Sequence, residues 1–173
     1  MQTRRRPRAP QPDDCFVMLD FSQLLSVSRI TPNESLSSKK RALESLAALL
    51  TPFAGEHSHM DVLNSLTARE RLGSTGLGHG IAIPHGRIDA LEKPLAAVIT
   101  LEEGIDFESP DGEPVDILFA LLMPQECNET HLKILAALAK LFVREDLRQA
   151  LREAKDPESV LKIFTDCGDE IAS

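Results

Sequence analysis

The sequence predicts a single-domain α/β fold in which α-helices sandwich a central mixed β-sheet. Three observations carry this expectation. Segments of helical period precede, separate and follow strand-like runs. The nearly continuous apolar run Val115 to Met123 has the length and composition of a strand covered on both faces. The chain has 173 residues, the size of one ordinary domain.

In chain order, Ser37 to Leu50 reads as an amphipathic helix: Leu43, Leu46, Ala47 and Leu50 recur at helical spacing, and Pro52 stops it. A second helix is expected from about Ser58 to Arg71, burying Val62, Leu63 and Leu66. After the glycine-dense stretch Gly73 to Gly80 comes Ile81-Ala82-Ile83, a short apolar run ended by Pro84. Leu95 to Leu101, aliphatic and partly β-branched, reads as a strand, and Val115 to Met123 as the central one, stopped by Pro124. A helix beginning near Thr130 is expected to bury Leu132, Leu135, Leu138 and Ala139. Another covers about Glu145 to Ala154, and the last starts with Asp156 as N-cap and Pro157 at the first helical position.

Composition narrows the function class. Hydrophobic residues make up 42% of the chain and charged ones 27%, with seven Phe and neither Trp nor Tyr. No stretch approaches the roughly 18 apolar residues of a membrane span, so no membrane insertion is expected. The net charge of -8 is uneven, because Arg4, Arg5, Arg6 and Arg8 stand in the first eight residues. Setting those four aside leaves 15 basic against 27 acidic residues. A body that acidic is expected to repel nucleic acid and to favour partners with a basic docking face. Residues 1–15 read as a disordered basic arm, and residues 16–173 as the domain. Phe16 to Leu25 is interrupted by Asp20 and Gln23 and forms no signal-peptide core. Cys15, Cys127 and Cys167 are odd in number and unpaired by any CxxC spacing, which suits a reducing cytoplasm. His57, His59 and His79 lack supporting Cys or acidic ligands, so no metal site is expected.

Residues 69–89 hold most of the chemistry. Four glycines lie between Gly73 and Gly80, yet no Gly-Lys-Ser/Thr occurs for a phosphate loop. A dinucleotide G-x-G-x-x-G begun at Gly76 or Gly78 meets Ile81 or Ile83 where it needs its last glycine. Ile83-Pro84-His85-Gly86 is more telling. Pro84 restricts its own φ and pushes Ile83 toward the extended region, so the chain enters His85 in a narrow geometry. Gly86 would leave one side of the imidazole open to a partner's backbone. A neutral imidazole presented at a strand end is equipped for nucleophilic work, although a turn histidine without a role has the same local sequence.

The longer segment Arg69-Glu70-Arg71-Leu72-Gly73-Ser74-Thr75-Gly76-Leu77-Gly78-His79-Gly80-Ile81-Ala82-Ile83-Pro84-His85-Gly86 resembles the phosphorylation-site segment of a known family. These are the IIA proteins of the fructose, mannitol and nitrogen branch of the bacterial phosphotransferase system. The Gly-Ser-Thr-Gly-x-Gly-x-Gly-Ile-Ala-Ile-Pro-His-Gly form is most similar to the nitrogen-regulatory members. Ser38 to Glu44, Pro114 to Leu122 and Thr130-His131-Leu132 fit the same family, so the resemblance spans roughly residues 17–167.

The resemblance implies that His85 accepts a phosphoryl group on Nε2 from an HPr-like phosphocarrier. It places Arg69 near the phosphoryl oxygens and His131 beside the acceptor. Their plainer readings are a solvated helix charge and an exposed first-turn residue. His79 departs from the Asn or acidic residue common at its position; it is either a neutral hydrogen-bonder, a titrating neighbour of the site, or an exposed loop residue. No cofactor is implied, since the donor is already a phosphoprotein. The implied function is a phosphohistidine carrier that regulates target proteins such as transporters or sensor kinases. The alternative is a sugar-specific IIA that passes phosphate to a IIB component.

Overall fold

The computed structural model describes residues 20–126 and 128–172. The expected arm at residues 1–15, with Cys15 and Cys127, lies outside the described residues. In chain order the elements are α1 (Phe21–Leu24), β1 (Ile30–Glu34), α2 (Lys39–Leu50), α3 (His59–Arg71), β2 (Gly76–Gly78), β3 (Ile81–Ala82), β4 (His85–Ile88), β5 (Leu95–Ile105), β6 (Val115–Pro124), α4 (Asn128–Phe142), α5 (Glu145–Glu153) and α6 (Pro157–Ala172).

α2, α3 and α6 start at side-chain caps. Ser38 accepts from Arg41 N at the head of α2. Ser58 and Asp61 form a reciprocal capping box on α3, and Asp156 accepts from Ser159 N at the head of α6. Pro52 does stop α2, but within a 3-10 turn, Thr51–Phe53, that continues it.

The sheet runs β1-β5-β6-β3-β2, with β4 also paired to β6. β5 and β6 are antiparallel, whereas β1 lies parallel to β5 and both β3 and β4 lie parallel to β6. This is the mixed sheet expected. β6 is its axis and is buried along nearly its whole length. On one face α2 and α3 cover it with Leu43, Leu46, Leu50, Val62 and Leu66. On the other, α1, α4, α5 and α6 contribute Phe21, Ile134, Leu138, Leu151 and Phe164. There Phe119 of β6 meets Phe164 edge-on at 5.4 Å between ring centroids.

Several expectations need correction. α1 and β1 have no counterpart among the expected elements: α1 is a single turn, and β1 contains Pro32. β1 is an edge strand, where a missing N–H is tolerated. β5 continues past Leu101 to Ile105. Leu132 was expected in the core and is 67% exposed, while His131, Ile134 and Leu138 face inward. The strand at Ile81 does not finish at Pro84 either. Pro84 lacks an N–H but keeps its carbonyl, which accepts from Leu121 N at 2.9 Å, so the chain stays beside β6 and resumes pairing as β4 at His85.

Candidate active site

His85 is the first residue of β4, and β6 fixes it through the register His85↔Leu121. The side chain is 8% exposed, and its Nδ1 lies 2.8 Å from the carbonyl oxygen of Ile83. A carbonyl only accepts, so Nδ1 carries the proton and donates it. The neutral ring then has its lone pair on Nε2. Burial lowers the pKa of His85 first; the Ile83 carbonyl opposes this, Arg69 lowers it, Glu70 raises it, and Arg87 lowers it again. The uncharged, nucleophilic form is therefore favoured.

The cavity at His85 has a volume of about 600 Å³. Its cations are Arg69 and Arg87; its apolar rim is Ala68, Leu72, Leu132 and Leu135. Arg69 comes from the last turn of α3, where its Nη1 donates to Gly73 O at 2.8 Å. The next residue, Glu70, is 7% exposed and ties that turn down. It pairs with Lys39 of α2 at 2.9 Å and accepts from the backbone N–H and hydroxyl of Thr75. The helix end that carries Arg69 is thus locked to the loop leading into β2.

His131 lies in the first turn of α4, 6% exposed, with its ring centroid 5.2 Å from that of His85. Burial, then the neighbouring His85, Arg87 and Arg69, bring its pKa down to about 4. Its Nδ1 is buried without a hydrogen-bond partner among the described residues. A neutral ring with hydrogen-bonding capacity unspent beside His85 is suited to contact an incoming group.

The structure brings together three of the four residues singled out from the sequence. His79 stands apart. With Gly80 it forms the two-residue turn between β2 and β3, both at positive φ (57° and 81°). That is a hairpin geometry open to few side chains other than Asn, Asp and His. Its N–H donates to Asp111 and its carbonyl accepts from Arg152, which also pairs with Asp116. These contacts make it a turn residue, and it does not line the His85 cavity.

Two further expectations change. Gly86 does not leave space for a partner: a Cβ there would overlap Ser65 Oγ and come within 2.9 Å of the Ser65 backbone. The glycine lets α3 press against β4. Among the described residues no carboxylate lines the cavity, so the acidic chain presents a cationic pocket with an apolar rim here. Arg87 was missed by the sequence reading. Residues two apart on a strand share a face, but with Pro84 read as the end of the run no strand was expected at His85 to Arg87.

Among the described residues no cluster of three or more metal-ligating side chains occurs, and no helix is long and apolar enough to cross a membrane.

Comparison with known proteins follows the same lines. The family model described as "Phosphoenolpyruvate-dependent sugar phosphotransferase system, EIIA 2" matches residues 23–167. A nitrogen regulatory protein of Pseudomonas aeruginosa is 41% identical over 149 residues, 86% of this chain and 97% of the relative. The crystal structure of nitrogen regulatory protein IIA-Ntr from Neisseria meningitidis superposes with a TM-score of 0.79 at 40% identity, covering 83% of this chain and 97% of that one. IIA mannitol from Escherichia coli shares the fold, with a TM-score of 0.66 at 20% identity over 81% of this chain and 98% of that one.

Proposed function

Because the chain belongs to the EIIA 2 family of the phosphotransferase system, with nitrogen regulatory proteins among its relatives, we propose that it carries a phosphoryl group on His85 and regulates partner proteins by its phosphorylation state. One observation carries this reading. The Nδ1–H of His85 is committed to Ile83 O, which leaves a bare Nε2 lone pair at a cavity holding a guanidinium from α3.

The donor is a phosphorylated HPr-like carrier of the nitrogen branch. The His85 Nε2 lone pair attacks its phosphorus. A P–N bond forms at His85 while the donor's P–N bond breaks, and that electron pair returns to the donor imidazole. As the ring of His85 gains positive charge, the Ile83 carbonyl stabilises it through Nδ1–H. Arg69 contacts the phosphoryl oxygens, with a planar fork suited to two of them. His131, uncharged at neutral pH, hydrogen-bonds the same group. The protein supplies positioning and charge, which is most of what phosphoryl transfer requires. The carrier docks on Ala68, Leu72, Leu132 and Leu135, and the regulated targets are cytoplasmic faces of transporters or sensor kinases.

Incubation with phosphoenolpyruvate, enzyme I and an HPr-type carrier tests the assignment. The wild type is expected to take up one acid-labile phosphate per chain, and His85→Ala none. Uptake by His85→Ala would assign the phosphate to another residue.

A further inference from the structure

We propose that Arg87 is a second phosphoryl-contacting cation, so that Arg69 from α3 and Arg87 from β4 bracket the group on His85. This rests on the functional reading above and names a residue that neither the motif nor its resemblance singled out.

Position comes first. Arg87 follows His85 by two residues on β4, and strand alternation sends both side chains to one face of the sheet. The same cavity is lined by Arg69, His85, Arg87 and His131. The backbone beneath Arg87 is anchored on both sides. Arg87 pairs with Met123 of β6, and its carbonyl accepts from Ser65 Oγ of α3 at 3.0 Å. Close packing of Gly86 on Ser65 sets β4 directly against the helix that carries Arg69. Two arginines from different elements are therefore held at fixed Cα positions around one imidazole.

Charge is the second argument. Arg87 acts electrostatically on both rings, lowering the pKa of His85 and of His131. A cation close enough to bias both imidazoles is close enough to act on a group lying between them. The phosphoryl group carries about two negative charges near neutral pH. Before the P–N bond forms both histidines are neutral, so the arriving group meets only guanidinium charge in this cavity, and Arg87 adds a second guanidinium to that of Arg69.

The test separates contact with the phosphoryl group from contact with the protein donor. Phosphoramidate, a small phosphoryl donor, transfers its group to Nε2 as its P–N bond breaks and the amine leaves protonated as ammonia. It needs no docking surface. With phosphoramidate, Arg87→Met is expected to slow phosphorylation of His85 roughly ten- to a hundredfold and Arg87→Lys less, the loss of one preorganised contact. The pKa of His85, followed by NMR of its ring nitrogens, is expected to rise in Arg87→Met. Arg71→Met, outside this cavity, is the control.

If Arg87→Met slows transfer from the HPr-type carrier while matching wild type with phosphoramidate, Arg87 is a docking residue and the proposal is overturned. Equal rates with both donors overturn it as well. Wild type that takes up no phosphate from either donor overturns the functional reading and this inference with it.

Discussion

His131 and His85 face one another at 5.2 Å between ring centroids, and neither is placed to hold a proton readily. For His131 the consequence extends to stability. An unfolded histidine protonates near pH 6.5, whereas His131 in the fold does so only at about 4. Between those values the unfolded chain binds a proton that the native chain refuses. The contribution of His131 is thus complete above about pH 6.5 and is lost as pH falls toward about 4, by at most ~1.4 kcal/mol per pH unit. His131→Asn should remove this component, leaving a shallower fall in stability on acidification. Urea denaturation at a series of pH values would measure it; parallel curves for wild type and variant would show that His131 titrates normally.

Gly86 shows how an element sets a site. Its missing Cβ admits the Ser65 backbone of α3, and Ser65 then bonds the next carbonyl of β4. Gly86→Ala must push helix and strand apart, since the backbone at Ser65 has no free rotamer to yield. The cost should be about 1–3 kcal/mol, the range for overpacking a filled interior. Phosphoryl acceptance should fall too, because the displacement separates Arg69 on α3 from His85 on β4. Ser65→Ala in the same chain should restore little, as it removes the hydroxyl and not the backbone. Denaturant unfolding of the single and double variants checks this; a change below about 0.5 kcal/mol for Gly86→Ala would mean that the two elements are not in firm contact.

At the scale of the whole molecule, charge and hydrophobicity are distributed against the average. The chain carries a net charge of -8, yet the cavity at His85 is walled by two arginines and rimmed by Leu72 and Leu132, which are 83% and 67% exposed. Exposed leucines around a reactive cavity suit a partner that covers them during transfer. Leu132→Asp should therefore leave thermal stability unchanged and slow phosphoryl transfer from the HPr-type carrier on the order of tenfold or more. Its rate with phosphoramidate should match wild type. Stopped transfer assays with both donors decide it, and a carrier rate equal to wild type would place docking on another face.

Much of this protein was legible in its sequence because the signals are local. Asp156 announces its helix as an N-cap, the helical period of Leu43, Leu46, Ala47 and Leu50 announces α2, and the unbroken apolar run of β6 announces a strand buried on both faces. His85 stood out because proline and glycine flank it, and Arg69 and His131 through resemblance. What the sequence could not express depends on what lies across space. Pro84 looked like a strand end because the hydrogen bond from Leu121 to its carbonyl involves a residue 37 positions away. Gly86 looked like an opening because Ser65, which fills it, belongs to another element. Leu132 looked like core because helical period marks a face without saying what covers it, and here that position is the exposed rim of the His85 cavity. Arg87 entered the site only when β4 proved to continue. Local rules chose the elements and singled out His85; tertiary packing decided which tautomer, which cations and which apolar rim surround it.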